Sequence, residues 1–444
     1  MAPAASSRLV LLGTSFKTAP LALREQVAVP PDGLPDALQT LKAYLPRAVL
    51  VSTCNRTEIY FSPCEGHGLR EAYRFLHSHF GITRTQVKRF FYRRQGWEAV
   101  RHLFRVVCGL DSQAVGEAEI MGQVRHAFQT AVSLGMAGPP LDRVFHSAFQ
   151  TARQARQRAS LPPVSLAHWA VDTALSAVSA NGPVDALVVG AGEVGTQVAL
   201  ALRRKGVGRI WVANRTFSRA QALAELVDGE AVPLGRLAIL LAQADLLIVS
   251  VRSGRPLLSP GDLFSALKQR SKPLCIVDMA LPRSVHPAVG LLHGVRLFTL
   301  DDLKPASGNG ACVPPEVLHQ MEQAVEEGLA RFATVWRSLS ALPAISTLHR
   351  WAEGVRQEET HRLLRSLRHL DAEGYAHVEA FGKALVGRLL TPVVEHMKAR
   401  PSPARLRRVL ALFGLDCPSR SADPQGVTPS TLALHMRPPE GGEV

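Results

Sequence analysis

A chain of 444 residues, 46% of them hydrophobic, is long enough for two or three domains with sizeable cores and too apolar to be wholly disordered. Fifty-one Lys and Arg against 37 Asp and Glu leave a net charge of +14, which fits either a solubility bias or a polyanionic partner such as a nucleic acid. The longest mainly apolar stretch, Leu237 to Val251, is broken by Gln243 and Asp245 and is too short to span a bilayer, and the chain opens without a signal-peptide pattern, so a soluble, cytoplasmic protein with no membrane association is expected. Six widely spaced cysteines (Cys54, Cys64, Cys108, Cys275, Cys312 and Cys417) with no CxxC pair favour free thiols over a disulfide framework or a zinc site.

In chain order, residues 8–13 (Arg-Leu-Val-Leu-Leu-Gly) read as a short buried strand, Leu34 to Tyr44 as a helix and Ala48 to Ser52 as another strand. Strand and helix patterns alternate to about residue 110, as in an α+β domain. From Glu117 the apolar positions Ile120, Val124, Ala127, Phe128 and Ala131 keep helical spacing, with Gly135 as a stop. A further helix fits Leu141 to Arg158, ended by Pro162-Pro163. Ser165 is placed to cap a helix reaching about Ala180. Ala186 to Val189, Ile210 to Ala213, Leu246 to Val251, Leu274 to Asp278 and Arg296 to Thr299 alternate with helical segments, which predicts a parallel sheet with crossover helices. Beyond a linker at Pro305 to Pro315, only helical patterning remains to about Leu415, beginning with a long helix from Glu316 to about Leu339 suited to a spine or an oligomer contact. The residues from Pro418 are rich in Pro, Gly and Ser, and disorder is expected there.

Two motifs carry chemistry. Val49-Leu50-Val51 ends abruptly in Ser52-Thr53-Cys54-Asn55-Arg56-Thr57-Glu58, a strand end bearing a thiol. A lone cysteine is most often a small buried hydrophobe, but at a polar strand mouth it is a candidate nucleophile. If the extended geometry persists, Arg56 lies on the same side and favours the thiolate; Cys64, in similar surroundings, is the competing candidate. Gly190-Ala191-Gly192-Glu193-Val194-Gly195 follows a strand and opens a helix, the context in which glycines admit a dinucleotide's pyrophosphate at a helix N-terminus. The next strand ends in Asn214-Arg215-Thr216, without the acidic residue that grips a ribose 2′-hydroxyl, and Arg215 suits a 2′-phosphate, so NADP is favoured over NAD. A nucleophilic thiol and a hydride carrier together point to capture of an acyl group as a thioester followed by reduction to an aldehyde.

Other strings are open to two readings. Gly109-Leu110-Asp111-Ser112 and Gly116 to Gln123 form either a polar pocket for a small charged group or simply the cap of a helix. Asp278 to Pro282, at the C-terminal edge of the sheet, either faces the cofactor cleft or is a plain turn. Basic residues cluster at Lys88-Arg89 with Arg93-Arg94, at Arg153, Arg156 and Arg158, at Arg203-Arg204-Lys205, and at Arg405, Arg407 and Arg408; the helices around Arg153, Arg156 and Arg158 are the preferred contributors to binding a polyanion.

From Gly13 to about Lys398 these strings resemble glutamyl-tRNA reductase in order and spacing. The resemblance lies in Gly13 to Pro20 with Arg24-Glu25, Ser52 to Tyr60, Gly109 to Ser112, Gly116 to Gln123, Gly190 to Gly195, Asp278 to Arg283, and the helical segment from Phe332 through Pro343 to Leu367. It implies a multidomain α/β chain: residues 1–162 an α+β catalytic domain, 163–304 a Rossmann-like NADPH-binding domain, 305–417 a helical spine and dimerisation domain, and 418–444 a tail. It implies an NADPH-dependent oxidoreductase without a catalytic metal. Such an enzyme reduces glutamyl-tRNA(Glu) to glutamate-1-semialdehyde through a cysteine thioester, in tetrapyrrole (porphyrin) biosynthesis. It also implies a V-shaped homodimer that hands its product to an aminomutase, in a transient complex.

By the same resemblance Cys54 is the nucleophile and His102, by itself an ordinary surface or core histidine, falls on an activity-sensitive position. Thr53, Asn55, Arg56, Ser112, Glu117, Ala118, Glu119 and Gln123 fall on glutamyl-recognition positions, and Gly190, Ala191, Gly192, Glu193, Val194, Gly195, Asn214 and Arg215 form the cofactor site. Phe16 stands where the family has a histidine, and Ala118 where it has a proline. Two other readings compete: a shikimate-dehydrogenase-like oxidoreductase acting on a free small molecule, which needs neither the cysteine nor the helical tail, and a basic RNA-binding scaffold that binds tRNA without turning over NADPH.

Overall fold

The computed structural model describes residues 9–63, 67–117, 119–159, 165–178, 182–251, 256–268, 270–303, 313–339, 341–367, 371–399 and 401–415. These form two compact units, one comprising residues up to Gly328 and the other the residues from Leu329 onward. The expected domain boundaries near residues 162 and 304, the tail from Pro418, and Ala118, Cys64, Cys312 and Cys417 lie outside the described residues.

The first unit opens with an antiparallel sheet. β1 (Val10–Ser15), β2 (Ala48–Ser52), β3 (Arg56–Phe61) and β4 (Tyr92–Gln95) stand in the order β2-β3-β1-β4. Every residue of β1 and β3 is buried, although Thr14, Ser15, Arg56, Thr57 and Glu58 are polar. An apolar run that continues into buried polar residues is the mark of a strand leading into a site, and each such group needs a partner. The helices Glu119–Ser133 and Leu141–Ala159 supply the apolar cover, with Phe128 stacked on Phe145 at 5.0 Å and Tyr60 edge-on to Phe145 at 5.6 Å. The five apolar positions expected to face inward on the first of these helices are all buried, and Gly135 turns the chain at φ 68°. That helix begins at Glu119, two residues later than expected, because Gly116 at φ 84° holds the preceding chain in a turn.

A parallel sheet follows, from β5 (Ala186–Val189), β6 (Ile210–Ala213), β7 (Glu230–Val232), β8 (Leu246–Val249), β9 (Leu274–Asp278) and β10 (Val295–Thr299), in the order β10-β9-β8-β5-β6-β7. Alternate residues feed two cores: Val188, Val212, Ile248 and Val277 pack on one face, Leu187, Trp211, Leu247 and Ile276 on the other. Each fully buried Val or Leu contributes about 1.5–3 kcal/mol, so both faces must be covered, and the crossover helices cover them. The direction of winding reverses between β5 and β8, and that switch point is where an open parallel sheet binds its ligand. Ser165 sits at the N-cap of Leu166–Ala177 as expected, but its hydroxyl pairs with His168 Nδ1 at 2.9 Å instead of a backbone N–H.

Within the first unit, Glu322, Glu326 and Glu327 of the long helix Pro315–Leu339 pair with Arg105, Arg101 and Arg158. Gly328 is small for a reason: a Cβ there would sit 2.2 Å from Thr151 Oγ1. The second unit is helical throughout its described residues, with Leu342–Ser366, Ala372–Ala399 and Pro403–Leu412 enclosing Leu348, Leu390, Met397 and Leu410. Phe381, Leu385 and Leu389 stay exposed at four-residue spacing on Ala372–Ala399. No helix among the described residues is long and apolar enough to cross a membrane.

Candidate functional site

Cys54 lies at the tip of the β2–β3 hairpin. Ser52 closes one strand, Arg56 opens the next, and the Thr53 N–H donates to the Arg56 carbonyl at 2.8 Å. The Thr53 hydroxyl accepts from the N–H groups of Asn55 and Arg56, both at 3.2 Å, which fixes the turn. Cys108 and Cys275 are buried, and burial pushes both thiols up to about 12, whereas Cys54 is partly exposed. Beside it Asn55 is 2% exposed, and neither side-chain amide atom has a hydrogen-bond partner. A buried, unpaired amide costs about 1–3 kcal/mol per group and is kept where a ligand satisfies it.

The extended geometry does not persist from Cys54 to Arg56, since Ser52 ends one strand and Arg56 opens the next. The chain turns at Cys54, and the Arg56 guanidinium is committed to the Glu58 carboxylate at 2.8 Å and to the Asp111 carbonyl at 2.5 Å. Glu58, overlooked as a site residue in the sequence, is the hub. Its fully buried carboxylate also takes the Tyr60 hydroxyl at 2.6 Å, the Tyr92 hydroxyl, and His102 Nε2 at 2.7 Å. Burial alone would push this carboxyl up, but His102 and Arg56 outweigh it and hold it far below the usual range. Gly13, opposite Glu58 on β1, leaves room for it, since a Cβ there would lie 2.7 Å from Glu58 Cγ. His102 is thus a buried member of the network, with Nδ1 3.7 Å from Asp111, and Asp111 pairs in turn with Lys17 at 2.5 Å.

The polar string closes over this network as a loop. Gly109 at φ 78° and Gly116 at φ 84° are its hinges, joined by a 3.0 Å bond from the Gly116 N–H to the Gly109 carbonyl. Ser112 and Glu117 are both buried. Burial pushes the Glu117 carboxyl up to about 7, a hydrogen bond from Ser112 opposing it. Glu119 accepts from Gln197 Nε2 at 2.5 Å, and Gln123 lies one turn further along the same helix.

A raised acid binds more protons folded than unfolded. The Glu117 contribution to stability therefore declines as pH rises from about 4.5 to about 7, and is level beyond. Asp278, raised to about 6 by burial, slopes the same way over a lower range. Glu117→Gln is expected to gain stability relative to the parent between pH 5 and pH 7, read from urea midpoints; a difference constant across that interval would contradict the shift.

The cofactor loop forms a separate group at the sheet's switch point. Gly190, at φ 119°, leaves no room for a Cβ, which would meet Ser250 Oγ at 2.5 Å, and a Cβ on Gly195 would strike the Gly190 carbonyl at 2.0 Å. Gly192, by contrast, faces open space at the mouth of the helix Glu193–Arg204, whose first residues are Glu193 and Val194. Two tight glycines and one open one fit a pyrophosphate resting on a helix N-terminus. Asn214 Oδ1 accepts from the Ala191 N–H at 3.3 Å and Nδ2 donates to the Thr216 carbonyl at 3.0 Å, locking the ends of β5 and β6 together. Arg215 is exposed, and a surface cleft of about 350 Å³ is lined by Ala191, Thr196 and Arg219. Arg219 went unnoticed because nothing in its spacing says that the first turn of a crossover helix faces the glycine loop. Among the described residues, no cluster of His, Cys, Asp or Glu is placed to hold a metal ion.

The basic clusters differ in their partners. Arg156 donates to the Glu117 carbonyl, Arg158 pairs with Glu327 at 2.5 Å, and Arg153 donates to its own helix at the Phe149 carbonyl. Arg156 thus ties its helix to the loop before Glu119, and Arg158 ties it to Pro315–Leu339. Lys88, Arg89, Arg93 and Arg94 are exposed and have no carboxylate partner among the described residues. Arg94 lies over the Tyr92 ring at 5.8 Å, and so next to the Glu58 network.

Residues 12–159 match the family model described as glutamyl-tRNAGlu reductase, N-terminal domain; residues 173–306 match shikimate / quinate 5-dehydrogenase; and residues 320–415 match glutamyl-tRNAGlu reductase, dimerisation domain. Glutamyl-tRNA reductase of Myxococcus xanthus is 33% identical over 444 residues, covering 98% of this chain and 100% of its own. That of Syntrophotalea carbinolica is 34% identical over 387 residues, 86% of this chain and 87% of its own. Among solved structures, glutamyl-tRNA reductase from Methanopyrus kandleri is 30% identical, covers 92% of this chain and 100% of its own, and superposes with a TM-score of 0.45.

Proposed function

The chain belongs to the glutamyl-tRNA reductase family, and on that premise we propose that it reduces the glutamyl group of glutamyl-tRNA(Glu) to glutamate-1-semialdehyde, the aldehyde from which tetrapyrroles are built. The observation that carries the reading is the Cys54 turn: a partly exposed thiol beside a buried amide with nothing to bond. The Cys54 thiolate attacks the carbonyl carbon of the glutamyl ester. The C–O bond to the terminal ribose breaks, the tRNA leaves with the electron pair and a proton, and a thioester remains on the protein. Asn55 supplies a donor and an acceptor for the bound acyl group. Glu117, held near neutrality by burial with Ser112 beside it, is placed to ionise when the substrate's α-ammonium replaces the water it has lost. Arg56 and His102 are kept in place by Glu58, and Thr53, Glu119 and Gln123 complete the glutamyl pocket, together with Ala118 by sequence position. A nicotinamide cofactor bound at Gly190 to Gly195 supplies the hydride that a thioester needs to become an aldehyde.

The match to shikimate / quinate 5-dehydrogenase is confined to residues 173–306, so a shikimate-dehydrogenase-like enzyme would account for one domain and leave residues 12–159 and 320–415 without a role. The test is aldehyde formation and NADPH consumption by the purified protein with glutamyl-tRNA, against free glutamate as control. Turnover of free glutamate, or tRNA binding without oxidation of NADPH, would favour one of the competing readings.

NADPH is the proposed form of the cofactor, with Arg215 and Arg219 as the cations for its 2′-phosphate. Arg215→Ala is expected to raise the KM for NADPH about tenfold and that for NADH little, one charge-assisted contact being worth roughly 1.5–3 kcal/mol at most. Equal effects on the two would remove Arg215 from that site.

The tRNA partner should lie against the exposed edge strand. Each phosphate neutralised adds roughly 0.7–0.9 to the steepness of the log–log salt dependence. Substituting Arg93 and Arg94 with Gln should flatten the slope for tRNA and leave that for NADPH alone, whereas an unchanged tRNA slope would place the contact elsewhere. The exposed stripe Phe381, Leu385 and Leu389 suits the homodimer that the dimerisation-domain match calls for. Hand-over of the reactive aldehyde to an aminomutase in a transient complex, in the cytoplasm, completes the proposal.

A further inference from the structure

The short helix Leu21–Gln26 carries two neighbouring residues of opposite charge, and each reaches into the nucleotide-binding half of the first unit. The Arg24 side chain, 2% exposed, donates from Nη1 to the Cys54 carbonyl at 3.0 Å and pairs through Nη2 with Asp301. Glu25 accepts from the Arg283 N–H at 2.7 Å and from its guanidinium at 2.8 and 2.7 Å. Arg283 follows β9 and Asp301 follows β10, so both grips fall beyond the C-terminal edge of the parallel sheet, the side on which a ligand binds. Gln113, in the loop over the Glu58 network, adds bonds to the Leu300 and Leu303 carbonyls at 2.8 and 3.3 Å. One guanidinium therefore holds the main chain of the nucleophile with one nitrogen and the nucleotide domain with another.

We infer that Arg24 and Glu25 are positioning residues that keep the Cys54 turn clasped against the C-terminal edge of the nucleotide-binding sheet, so that a thioester formed there is reduced before water reaches it. The inference rests on the reductase reading above. A thioester has two exits. Hydride addition at its carbonyl carbon, with the Cys54 sulfur leaving as thiolate with the C–S electron pair, gives the aldehyde; attack by water breaks the same bond, one proton of the water going to the sulfur, and gives glutamate. Both exits begin from one acyl-enzyme, but only the first requires the two domains to stay in register. Loosening the clasp shifts the partition between them without touching the group that forms the thioester.

The experiment uses full-length protein, glutamyl-tRNA and saturating NADPH, with Asp301→Asn and Glu25→Gln, and reads the ratio of aldehyde to free glutamate. The ratio should fall about tenfold in each variant, small misplacements of a reacting group being this costly. Glutamate release without NADPH and the fluorescence-titrated affinity for NADPH should stay within about twofold, since neither depends on register. Asp301 is partly exposed, so its variant should fold, and Asp301→Glu should recover most of the ratio. An unchanged ratio, whether or not both products decline together, overturns the clasp, because a merely structural role lowers both exits alike. Parent protein that yields neither product would sink the reductase reading itself, and the clasp with it.

Discussion

Cys54→Ser is expected to lower reductase turnover by about a thousandfold or more while leaving the melting transition and NADPH binding close to the parent's, since a serine alkoxide is far harder to form than a thiolate. The other described thiols are poor candidates: Cys108 and Cys275 are buried, and burial pushes both up to about 12. Cys54 alone of the three is partly exposed, its carbonyl accepting from Arg24 Nη1 and the turn around it fixed by the Thr53 hydroxyl. The substitution swaps one atom in a partly exposed position, so no cavity and no buried charge result. Retention of most activity by Cys54→Ser, with loss in Cys64→Ser, would move the nucleophile.

Glu58→Gln is expected to destabilise the first unit by about 3–5 kcal/mol, the cost of leaving a buried charge without its partner. The carboxylate is fully buried and faces Arg56, which is 2% exposed, so the amide variant strands a guanidinium in the core. A fall in melting temperature of roughly 5–10 °C should follow. His102, Tyr60 and Tyr92 lose a common acceptor at the same time, so turnover should fall even where the variant remains folded. The pH dependence gives an independent sign. Because this carboxyl is held below its unfolded value, its stabilisation is present above about pH 4.5 and lost as pH falls further, and the variant should lack that acid-side loss. Equal stability of variant and parent at pH 7 would mean that the carboxylate does not compensate Arg56.

The cofactor loop was legible in the sequence because its requirements are local: a buried strand, glycines where a Cβ cannot fit, and a helix start all follow one another in the chain. The Cys54 turn was legible for the same reason, as a polar break after an apolar run. The condition attached to Arg56 was not met, since two-residue alternation holds only while a strand continues, and the chain turns between Ser52 and Arg56. The edge strands β4 and β7 went unseen because an edge strand needs pairing on one side only and tolerates charge, as Arg93 and Arg94 show. Glu58 left a signal that could have been used: a carboxylate running directly into the apolar Ile59-Tyr60-Phe61 is drawn into the core with them and must have partners. Arg24 and Asp301 left none, being 277 residues apart. Of the arginines of Leu141–Ala159, Arg158 meets Glu327 of Pro315–Leu339, a pairing across 169 residues that left no local signal in the sequence.

The account turns on an acyl group passing through Cys54. Glutamyl-tRNA labelled in both the amino acid and the nucleic acid, mixed with the protein without NADPH and quenched in acid, tests it most directly. The account predicts glutamyl label, and no tRNA label, on the peptide that contains Cys54, together with slow release of glutamate that Cys54→Ser abolishes. Covalently attached tRNA, or no covalent label from a protein that nevertheless makes aldehyde when NADPH is supplied, would contradict it.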